Sequence, residues 1–453
     1  MRQLVMASCF VMIAAACSDD DDARSSIDST TRAVTYWGDM VPLFEAHCLQ
    51  CHREGGIAPL RLDQYASAKG KAEQIRRHTA SRTMPPWGVT SDGSCGEFSD
   101  SLALSAEQIA KIDQWVAAGA QEGVARALSV PPLPTLEAGK ELKTPLFVPE
   151  VEGGKLAESD EYRCFDLGRG DPETSFITGY EVLPGTPEIV HHALLMLVDG
   201  EAPAELEDRP GLTNAALMQE FDAASPDRDG WPCFGTAGEG VGVNAIPVTW
   251  APGQGVVRYP NASGVPLLAS HHIIVQVHYN LADRAQIGKS DQTTVRLSVA
   301  PNVENIGLFL LEDPLLASLY EAPLQTLPPG QASTVFTWRE TMKELGLDSL
   351  SGVELHGVMP HMHQLGRKYQ LRVATGSTPM QCAADVQRWD FHWQRMYFFA
   401  KPWKLDADSA FEVSCDFDTS SVSEPVSPGW GTRNEMCLAT LYLTVPAAQL
   451  MAP

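Results

Sequence analysis

The stretch Leu355-His356-Gly357-Val358-Met359-Pro360-His361-Met362-His363 decides how the rest of the chain is interpreted. In an extended segment side chains alternate between two faces, so His361 and His363 point the same way and can share one metal ion. Such a pair is half of a copper or zinc site and needs further ligands. The sequence offers these candidates elsewhere: His191, His192, His278 and Met436.

Length and charge restrict the class of protein. The chain has 453 residues, which corresponds to about three domains at the usual domain size. It carries 33 Lys and Arg against 57 Asp and Glu, a formal net charge of -24. A chain this acidic repels phosphate backbones, so no nucleic acid partner is expected.

The first residues resemble an export signal. Arg2 precedes an apolar run from Leu4 to Ala16 that is too short to span a bilayer as a helix. The run ends in Ala14-Ala15-Ala16-Cys17, which resembles a bacterial lipoprotein processing site with Cys17 as the lipidated residue. We expect a signal peptide at 1–17, a disordered tether at 18–33 and a protein in the periplasm or at the cell surface, lipid-anchored to the membrane. Plain signal cleavage is the alternative.

A second motif follows the tether. Cys48-Leu49-Gln50-Cys51-His52 is the attachment pattern of c-type haem, in which both thiols bond the vinyl groups and the His is an axial iron ligand. No second CxxC pair is present to complete a zinc site. The pattern predicts covalent haem c, bound through Cys48, Cys51 and His52 in a small α-helical cytochrome c-like domain at 34–127.

The sixth iron ligand has two candidates. Met84 lies on a proline-stiffened loop, Thr83-Met84-Pro85-Pro86-Trp87, and His78 is the rival. A thioether ligand raises the reduction potential and suits an electron carrier. The stretch from Leu104 to Gly119 predicts the closing helix of this domain, with Ser105 as N-cap, Gln108 three residues later and a terminal glycine.

The remainder of the chain is predicted to be mainly β. A Pro-containing linker at 128–144 precedes many short apolar runs separated by turns rich in Pro, Gly and Asp, as in antiparallel sandwiches. These runs divide into two domains, at 145–300 and 301–453. The longest helix-like exception covers about residues 202 to 220.

Two chemically unequal metal sites are predicted. His191 and His192 are adjacent, so they can share a metal only at a strand end or turn, and Pro184-Gly185-Thr186-Pro187 supplies that irregularity. With His278 they give three neutral nitrogens, which suit a copper that passes single electrons. His361, His363 and Met436 form the second set, where the soft thioether favours Cu(I) and reaction with O₂.

These motifs resemble the copper type II, ascorbate-dependent monooxygenases, the group of peptidylglycine α-hydroxylating and dopamine β-monooxygenases. The matching segments follow one another in the family's order: Tyr162-Arg163-Cys164, His191-His192, Gln276-Val277-His278-Tyr279, His361-Met362-His363 and Glu435-Met436-Cys437. The resemblance implies two jelly-roll-like β-sandwich domains, each holding one copper, with a solvent-filled cleft between them. It also implies disulfides Cys164–Cys233 and Cys415–Cys437.

This chain differs from the family's peptide-specific members at positions that bind the substrate. Those members hold the peptide carboxylate with an Arg, an Asn and a Tyr, where this chain has Met359, Leu438 and Thr440. With no cation or donors there, a less polar substrate than a peptide is expected. Tyr162 matches the family but is interpreted as core packing.

The remaining histidines and cysteines are given structural roles. His271 and His272 precede the His278 strand but are not expected to bind metal, and His356 and His392 are interpreted as packing residues. Cys95 and Cys382 are left over, and spacing does not say whether they pair.

The residues therefore predict an exported dicopper monooxygenase that hydroxylates an activated C–H bond of a small molecule with O₂. Electrons from ascorbate or a periplasmic redox protein would enter through the fused haem domain. The alternative is a non-catalytic electron-transfer or copper-binding protein on the same scaffold.

Overall fold

The computed structural model describes most of the chain after the first 32 residues. The described ranges are 33–54, 58, 60–99, 101–129, 136–137, 139–150, 160–206, 208–234, 236–250, 254–281, 283–319, 323–391, 393–429 and 433–450. The expected signal peptide, Cys17 and His392 therefore lie outside the described residues, as does most of the tether.

The N-terminal part is a small helical region with its own core. Tyr36, Phe44 and Trp115 are fully buried at its centre, and the Tyr36 hydroxyl donates to Leu62 O at 2.8 Å. Its elements are a π-helical turn Tyr36–Met40, α1 Val41–His47, α2 Tyr65–Gly70, α3 Ala72–Ala80 and α4 Ala106–Ala117. The predicted capping box of Ser105 and Gln108 is present at the start of α4.

The rest of the described chain is mostly strand. The strands are β1 Lys140–Lys143, β2 Asp160–Arg169, β3 Ser175–Leu183, β4 Val190–Asp199, β5 Trp231–Pro232, β6 Ala245–Trp250, β7 Val257–Arg258, β8 Ser263–Leu267, β9 His271–Asn280, β10 Thr294–Ala300, β11 Asn305–Glu312, β12 Thr334–Thr341, β13 Val353–His361, β14 Gly366–Ala374, β15 Gln381–Val386, β16 Tyr397–Leu405, β17 Ala410–Phe417 and β18 Leu438–Pro446. Short helices interrupt them: α5 Asn214–Ala223, a 3₁₀ turn Arg284–Gln286, α6 Pro314–Ala317 and α7 Ala447–Leu450.

These strands form β-sandwiches. In the first, the sheet β5-β2-β9-β4-β6 encloses a core against β1, β10, β3 and β8. In the second, β12-β17-β14-β15 encloses a core against β11, β18, β13 and β16. A short parallel pairing of β8 with β11, from Ser263 opposite Asn305, joins one sheet of each sandwich into a continuous nine-stranded sheet. The mainly β prediction is confirmed.

Part of the N-terminal region is not helical and packs on the second sandwich. Its residues 87–99, named here the docking segment, lie beside β15 and β16: Thr90 N donates to Asp385 O at 2.7 Å and Ser99 N to Phe398 O at 2.8 Å. The disulfide Cys95–Cys382 fastens it covalently. The two cysteines whose pairing the sequence left open thus join the helical region to the second sandwich.

Two local expectations need adjustment. The helix expected over residues 202 to 220 is wrong in its first half, because the helix begins only at Asn214, capped by the Thr213 hydroxyl, after a turn that contains Pro210 and Gly211. Strand β1 lies in the segment interpreted as linker and pairs with β10. Among the described residues, no helix has the length and apolar character to cross a membrane.

Candidate metal centres

The double histidine begins strand β4, at an irregularity in its pairing with β9. Val190 lies opposite Tyr279 and His192 opposite His278, so the register shifts at His191. A β-bulge of this kind re-aims one side chain, which lets two consecutive residues point to the same side. The predicted irregularity therefore exists, but it lies at His191 itself and not in the preceding turn.

The three imidazoles of His191, His192 and His278 meet at one point. Their Nδ1 atoms are 3.3 Å (His191 to His192), 3.2 Å (His191 to His278) and 3.1 Å (His192 to His278) apart. Metal–nitrogen bonds of about 2.0–2.1 Å in tetrahedral geometry place ligand nitrogens about 3.3–3.4 Å from one another. This tri-histidine set therefore fits a single metal ion bound through the Nδ1 atoms.

Burial keeps His192 and His278 neutral. Burial lowers the pKa of His192 and His278 well below the ordinary value, and the neighbouring histidines lower both further. Neutral imidazoles are the form that coordinates metal, so no proton must be displaced near neutral pH.

Two residues of strand β2 support His278 from behind. Tyr162 lies flat on its ring, with centroids 3.9 Å apart and an angle of 9° between the planes. The His278 Nε2 atom lies 3.2 Å from Asp160 Oδ1, at an angle outside hydrogen-bond geometry, and Asn280 Nδ2 donates to the same oxygen at 2.7 Å. Tyr162 is thus more than core packing, since it contacts a candidate ligand.

The His-x-His pair lies where β13 ends. His361 Nδ1 donates to Gln394 Oε1 at 2.5 Å, and His363 Nδ1 donates to the carbonyl oxygen of Asn434 at 2.9 Å. Both acceptors are oxygen atoms that carry no proton. Each imidazole therefore carries its proton on Nδ1, which leaves Nε2 for a metal. The two rings stand perpendicular, with centroids 5.0 Å apart.

Met436 is placed next to this pair by a buried carboxyl group. Glu435 is fully buried and accepts from His363 N at 2.9 Å and from Leu365 N at 2.6 Å. Burial raises the pKa of Glu435 to about 8. The disulfide Cys415–Cys437, implied by the resemblance, is present on the other side of Met436, as is Cys164–Cys233 in the first sandwich.

Both ligand sets face a single cavity between the sandwiches. His191, His192, His361, His363 and Met436 all line it. Most of the remaining lining is apolar: Leu194, Ile246, Trp250, Leu311, Met359, Phe391 and Leu438. Phe391 contacts imidazoles of both sets, with its ring centroid 5.0 Å from that of His191 and 6.1 Å from that of His363. The expected cleft therefore has predominantly apolar walls.

Similarity to known proteins is concentrated in this part of the chain. Residues 315–451 match the family model for the copper type II ascorbate-dependent monooxygenase, C-terminal domain. The match includes His361, His363 and Met436. This match supports the interpretation of the chain as a copper monooxygenase. Three disulfides among the described cysteines also indicate an oxidising, extracellular type of compartment.

The curated relatives that this chain resembles include a monooxygenase and a hydroxylase. DBH-like monooxygenase protein 1 of Homo sapiens is 26% identical over 199 residues, which is 42% of this chain and 32% of the human protein. Tyramine beta-hydroxylase of Caenorhabditis briggsae is 20% identical over 275 residues, 59% of this chain and 42% of the relative. The similarity thus spans less than half of each relative. Among solved structures, cowpea mosaic virus empty particles align with a TM-score of 0.25 at 11% identity, over 65% of this chain and 91% of theirs, too low to indicate a shared fold.

The CxxCH motif of this monooxygenase-like chain lies after α1 in a helical turn. His52 N donates to Cys48 O at 2.9 Å, and His52 Nδ1 donates to Leu60 O at 2.8 Å, which leaves Nε2 for iron. Cys48 and Cys51 form no disulfide. Burial, followed by the neighbouring Cys51, raises the pKa of Cys48 to about 12. Two free thiols beside an oriented imidazole fit covalent haem attachment.

Both candidates for the sixth iron ligand, Met84 and His78, have exposed side chains. Met84 is 42% exposed, and its N–H donates to His78 O at 3.1 Å. The exposed His78 ring is hydrogen-bonded through Nδ1 to the Thr83 hydroxyl at 2.9 Å. Met84 as ligand stays a prediction.

His271, His272 and His356 lie away from the two sets. His271 and His272 begin β9, at the opposite end from His278. His272 Nδ1 pairs with Asp166 Oδ2 at 2.7 Å, and His271 Nδ1 accepts from Leu268 N. His356 Nε2 lies 3.2 Å from Glu354 Oε2.

Sequence reasoning missed three contributors to the sites: Asp160, Phe391 and Gln394. Asp160 could have been found, because it lies two residues before Tyr162 on the same strand face. Phe391 and Gln394 come from the loop between β15 and β16, whose sequence carries no ligand motif.

Proposed function

We propose that this chain is an exported dicopper monooxygenase that hydroxylates an activated C–H bond of a largely apolar small molecule, with electrons supplied through a c-type haem in its helical region. The observation that carries the proposal is the convergence of three Nδ1 atoms at 3.1–3.3 Å on the wall of a cavity that also presents His361, His363 and Met436. Lipid anchoring through Cys17 and the jelly-roll-like connectivity belong to the same proposal.

When bound, copper would supply one-electron transfer at the tri-histidine set and O₂ activation at the set with the thioether, and haem would supply one-electron transfer from outside. The overall reaction is R–H + O₂ + 2e⁻ + 2H⁺ → R–OH + H₂O. The two electrons would come from ascorbate or from a periplasmic redox protein.

The protein's own contribution is to hold unequal ligands in a fixed geometry. Gln394 and the Asn434 carbonyl orient the imidazoles of His361 and His363, and the stacked Tyr162 ring orients that of His278. Such oriented ligands reduce the rearrangement needed when the metal changes oxidation state. A copper carrier would not need two chemically different sets on one cavity.

The cavity also indicates how a substrate would be held. Its apolar walls favour an apolar reacting carbon. Thr440 Oγ1 is buried, lines the cavity and has no hydrogen-bond partner among the described residues. This corrects the sequence-based view that no donor stands at this position, because a hydroxyl can orient one polar atom of the substrate.

The test begins with metal and haem analysis of copper-replete, periplasmically expressed protein. We expect two coppers and one covalent haem per chain, loss of covalent haem in C51A, and loss of one copper in H278A. The M436H variant should alter Cu(I) binding and oxygen chemistry while the tri-histidine copper remains. Zinc, or one metal only, in the wild-type protein contradicts the dicopper proposal.

Oxygen uptake with a panel of candidate substrates then separates the two functions. Hydroxylated product formed with O₂ consumption supports the monooxygenase. Two bound coppers that cycle between oxidation states without product from any candidate would favour the electron-transfer alternative.

A further inference from the structure

Two fully buried polar groups line the cavity of the ligand sets without a hydrogen-bond partner among the described residues. One is the amide oxygen Oε1 of Gln276 on β9, and the other is the hydroxyl oxygen Oγ1 of Thr440 on β18. Buried polar atoms are normally paired, so each of these atoms indicates a partner that is supplied from within the cavity. A hydroxyl can donate or accept, whereas an amide oxygen only accepts, so Gln276 makes the more specific demand.

We propose that Gln276 is a specificity-determining residue of this cavity, and that its amide oxygen accepts a hydrogen bond from a hydroxyl group of the substrate. The substrate class is then a neutral, largely apolar alcohol or phenol, and not an amine or a carboxylate. This inference rests on the proposed function, which it deepens by naming the polar group of the small molecule.

The orientation of the Gln276 amide is fixed by its nitrogen. Nε2 donates to the carbonyl oxygen of Thr236 at 3.1 Å and lies 3.4 Å from Sγ of Cys233, which is bonded to Cys164. A carbonyl oxygen cannot donate, so the nitrogen of the amide, and not its oxygen, must face Thr236. Oε1 is therefore left as an acceptor without a partner.

Strand pairing places the two unpaired groups on walls formed by different sandwiches. Gln276 precedes His278 by two residues, so the two side chains share one face of β9 in the first sandwich. Thr440 lies opposite Met359 in the pairing of β18 with β13, and Met359 comes two residues before His361. Each ligand set therefore has one unpaired polar group beside it.

The cavity offers no acidic or strongly basic side chain to a substrate. Among the described residues that line it, none is Asp, Glu, Lys or Arg. An ammonium or carboxylate group brought between these walls would lose hydration without gaining a partner of opposite charge. The carboxyl groups of Glu312 and Glu340 line an adjoining cleft, which shares Ile246, Leu311 and Leu438 with the cavity.

A hydroxyl group meets the demand of Gln276 with a single polar atom. It donates one hydrogen bond to Oε1, and its lone pairs can accept from a donor such as the Thr440 hydroxyl. An ether has no proton to donate. A ligand that displaces water from Oε1 without replacing its hydrogen bond loses affinity, so this acceptor should select an alcohol over the corresponding ether.

The binding of three related probes tests this inference without turnover. Benzyl alcohol, benzyl methyl ether and benzylamine are titrated by calorimetry into oxidised, copper-loaded protein, which cannot hydroxylate them without electrons. Wild-type protein should bind the alcohol at least about 10-fold more tightly than the ether or the amine. Q276M keeps the length of the side chain but removes the acceptor, so its preference for the alcohol over the ether should be about 3- to 10-fold smaller.

The matched control is Q286M. Gln286 also has a buried Oε1 without a hydrogen-bond partner among the described residues, but it does not line the cavity. Q286M should therefore keep the wild-type ratio of alcohol to ether affinity. A role of Gln276 in supporting the disulfide alone would change stability in Q276M without changing this ratio.

The outcomes separate this inference from the proposed function. Equal wild-type affinities for alcohol and ether, tighter binding of the amine, or the same ratio in wild type and Q276M would each overturn the role of Gln276 and leave the two-copper proposal standing. Zinc, or one metal only, in the same wild-type samples contradicts the two-copper proposal, and the affinity ratio still decides the role of Gln276. If Q276M fails to fold, Q276N, which withdraws the acceptor by one methylene group, is measured against Q286N.

Discussion

Tyr162 lies flat against His278, with ring centroids 3.9 Å apart, and it comes from the neighbouring strand at the register position directly opposite. The stack fixes the plane of an imidazole whose Nδ1 lies 3.2 Å from that of His191 and 3.1 Å from that of His192. Replacing Tyr162 tests how much this support contributes.

The Y162A variant should bind the tri-histidine copper about 10- to 100-fold more weakly, because residues that orient ligands contribute affinity of that order. Y162F keeps the ring and should bind as the wild type does. Copper at the His361, His363 and Met436 set should stay in both variants. Competition with a chelator, followed by copper analysis, measures the affinities; equal weakening in Y162A and Y162F would contradict a role for stacking.

Replacement of Gln394 should act on the other set. Q394A removes the acceptor for His361 Nδ1, so the ring can rotate or change tautomer, and copper affinity there should fall by about 10- to 100-fold. The tri-histidine copper should be unaffected. Cu(I) titration of the variant in the H278A background isolates the site, and unchanged Cu(I) affinity would show that Gln394 does not position His361.

The buried Glu435 carboxyl group should make folding stability depend on pH. Its pKa is about 8 in the folded, metal-free protein, against an ordinary value of 4.5. Below pH 4.5 both states hold the proton. Between pH 4.5 and 8 the unfolded chain releases it while the folded chain retains it, so stability falls as pH rises, and above about pH 8 this contribution is lost.

In E435Q this loss should be smaller, since the amide does not ionise. Asp313, whose pKa burial raises to about 7, should leave a residual dependence of the same sign. Thermal melting of metal-free wild type, E435Q and the surface control E424Q at pH 5 and pH 8.5 provides the comparison. The same decrease in all three proteins would rule out Glu435 as the group responsible.

The Cys95–Cys382 bond should hold the docking segment against the second sandwich. In the C95S/C382S variant, amide hydrogen exchange should rise at Thr90 and Ser99, whose N–H groups donate across that contact. The C164S/C233S variant, which opens a bond inside the first sandwich, is the control and should leave those amides protected. Equal protection in wild type and C95S/C382S would mean that packing alone holds the segment.

The sequence predicted the strands well, because strands depend on local patterns, and the motifs that supplied the candidate ligands are local patterns too. Strands such as β9 and β18 are continuous apolar runs, and His-x-His, His-His and CxxCH are recognised by residue type and spacing alone. The helix predicted over about residues 202 to 220 begins only at Asn214, because Pro210 and Gly211 form a turn and Thr213 caps the helix after it.

The amino-acid sequence by itself determined which reactive groups are present: imidazoles, thioethers and two thiols next to a histidine, in an acidic chain with a mainly β body. Tertiary structure alone decided which of these groups meet. The bulge at His191, the bond from His361 to Gln394 and the disulfide across 287 residues each depend on where distant segments pack. Side-chain chemistry is a property of one residue, whereas a site is a set of distances, and those distances are fixed by long-range packing that no local pattern encodes.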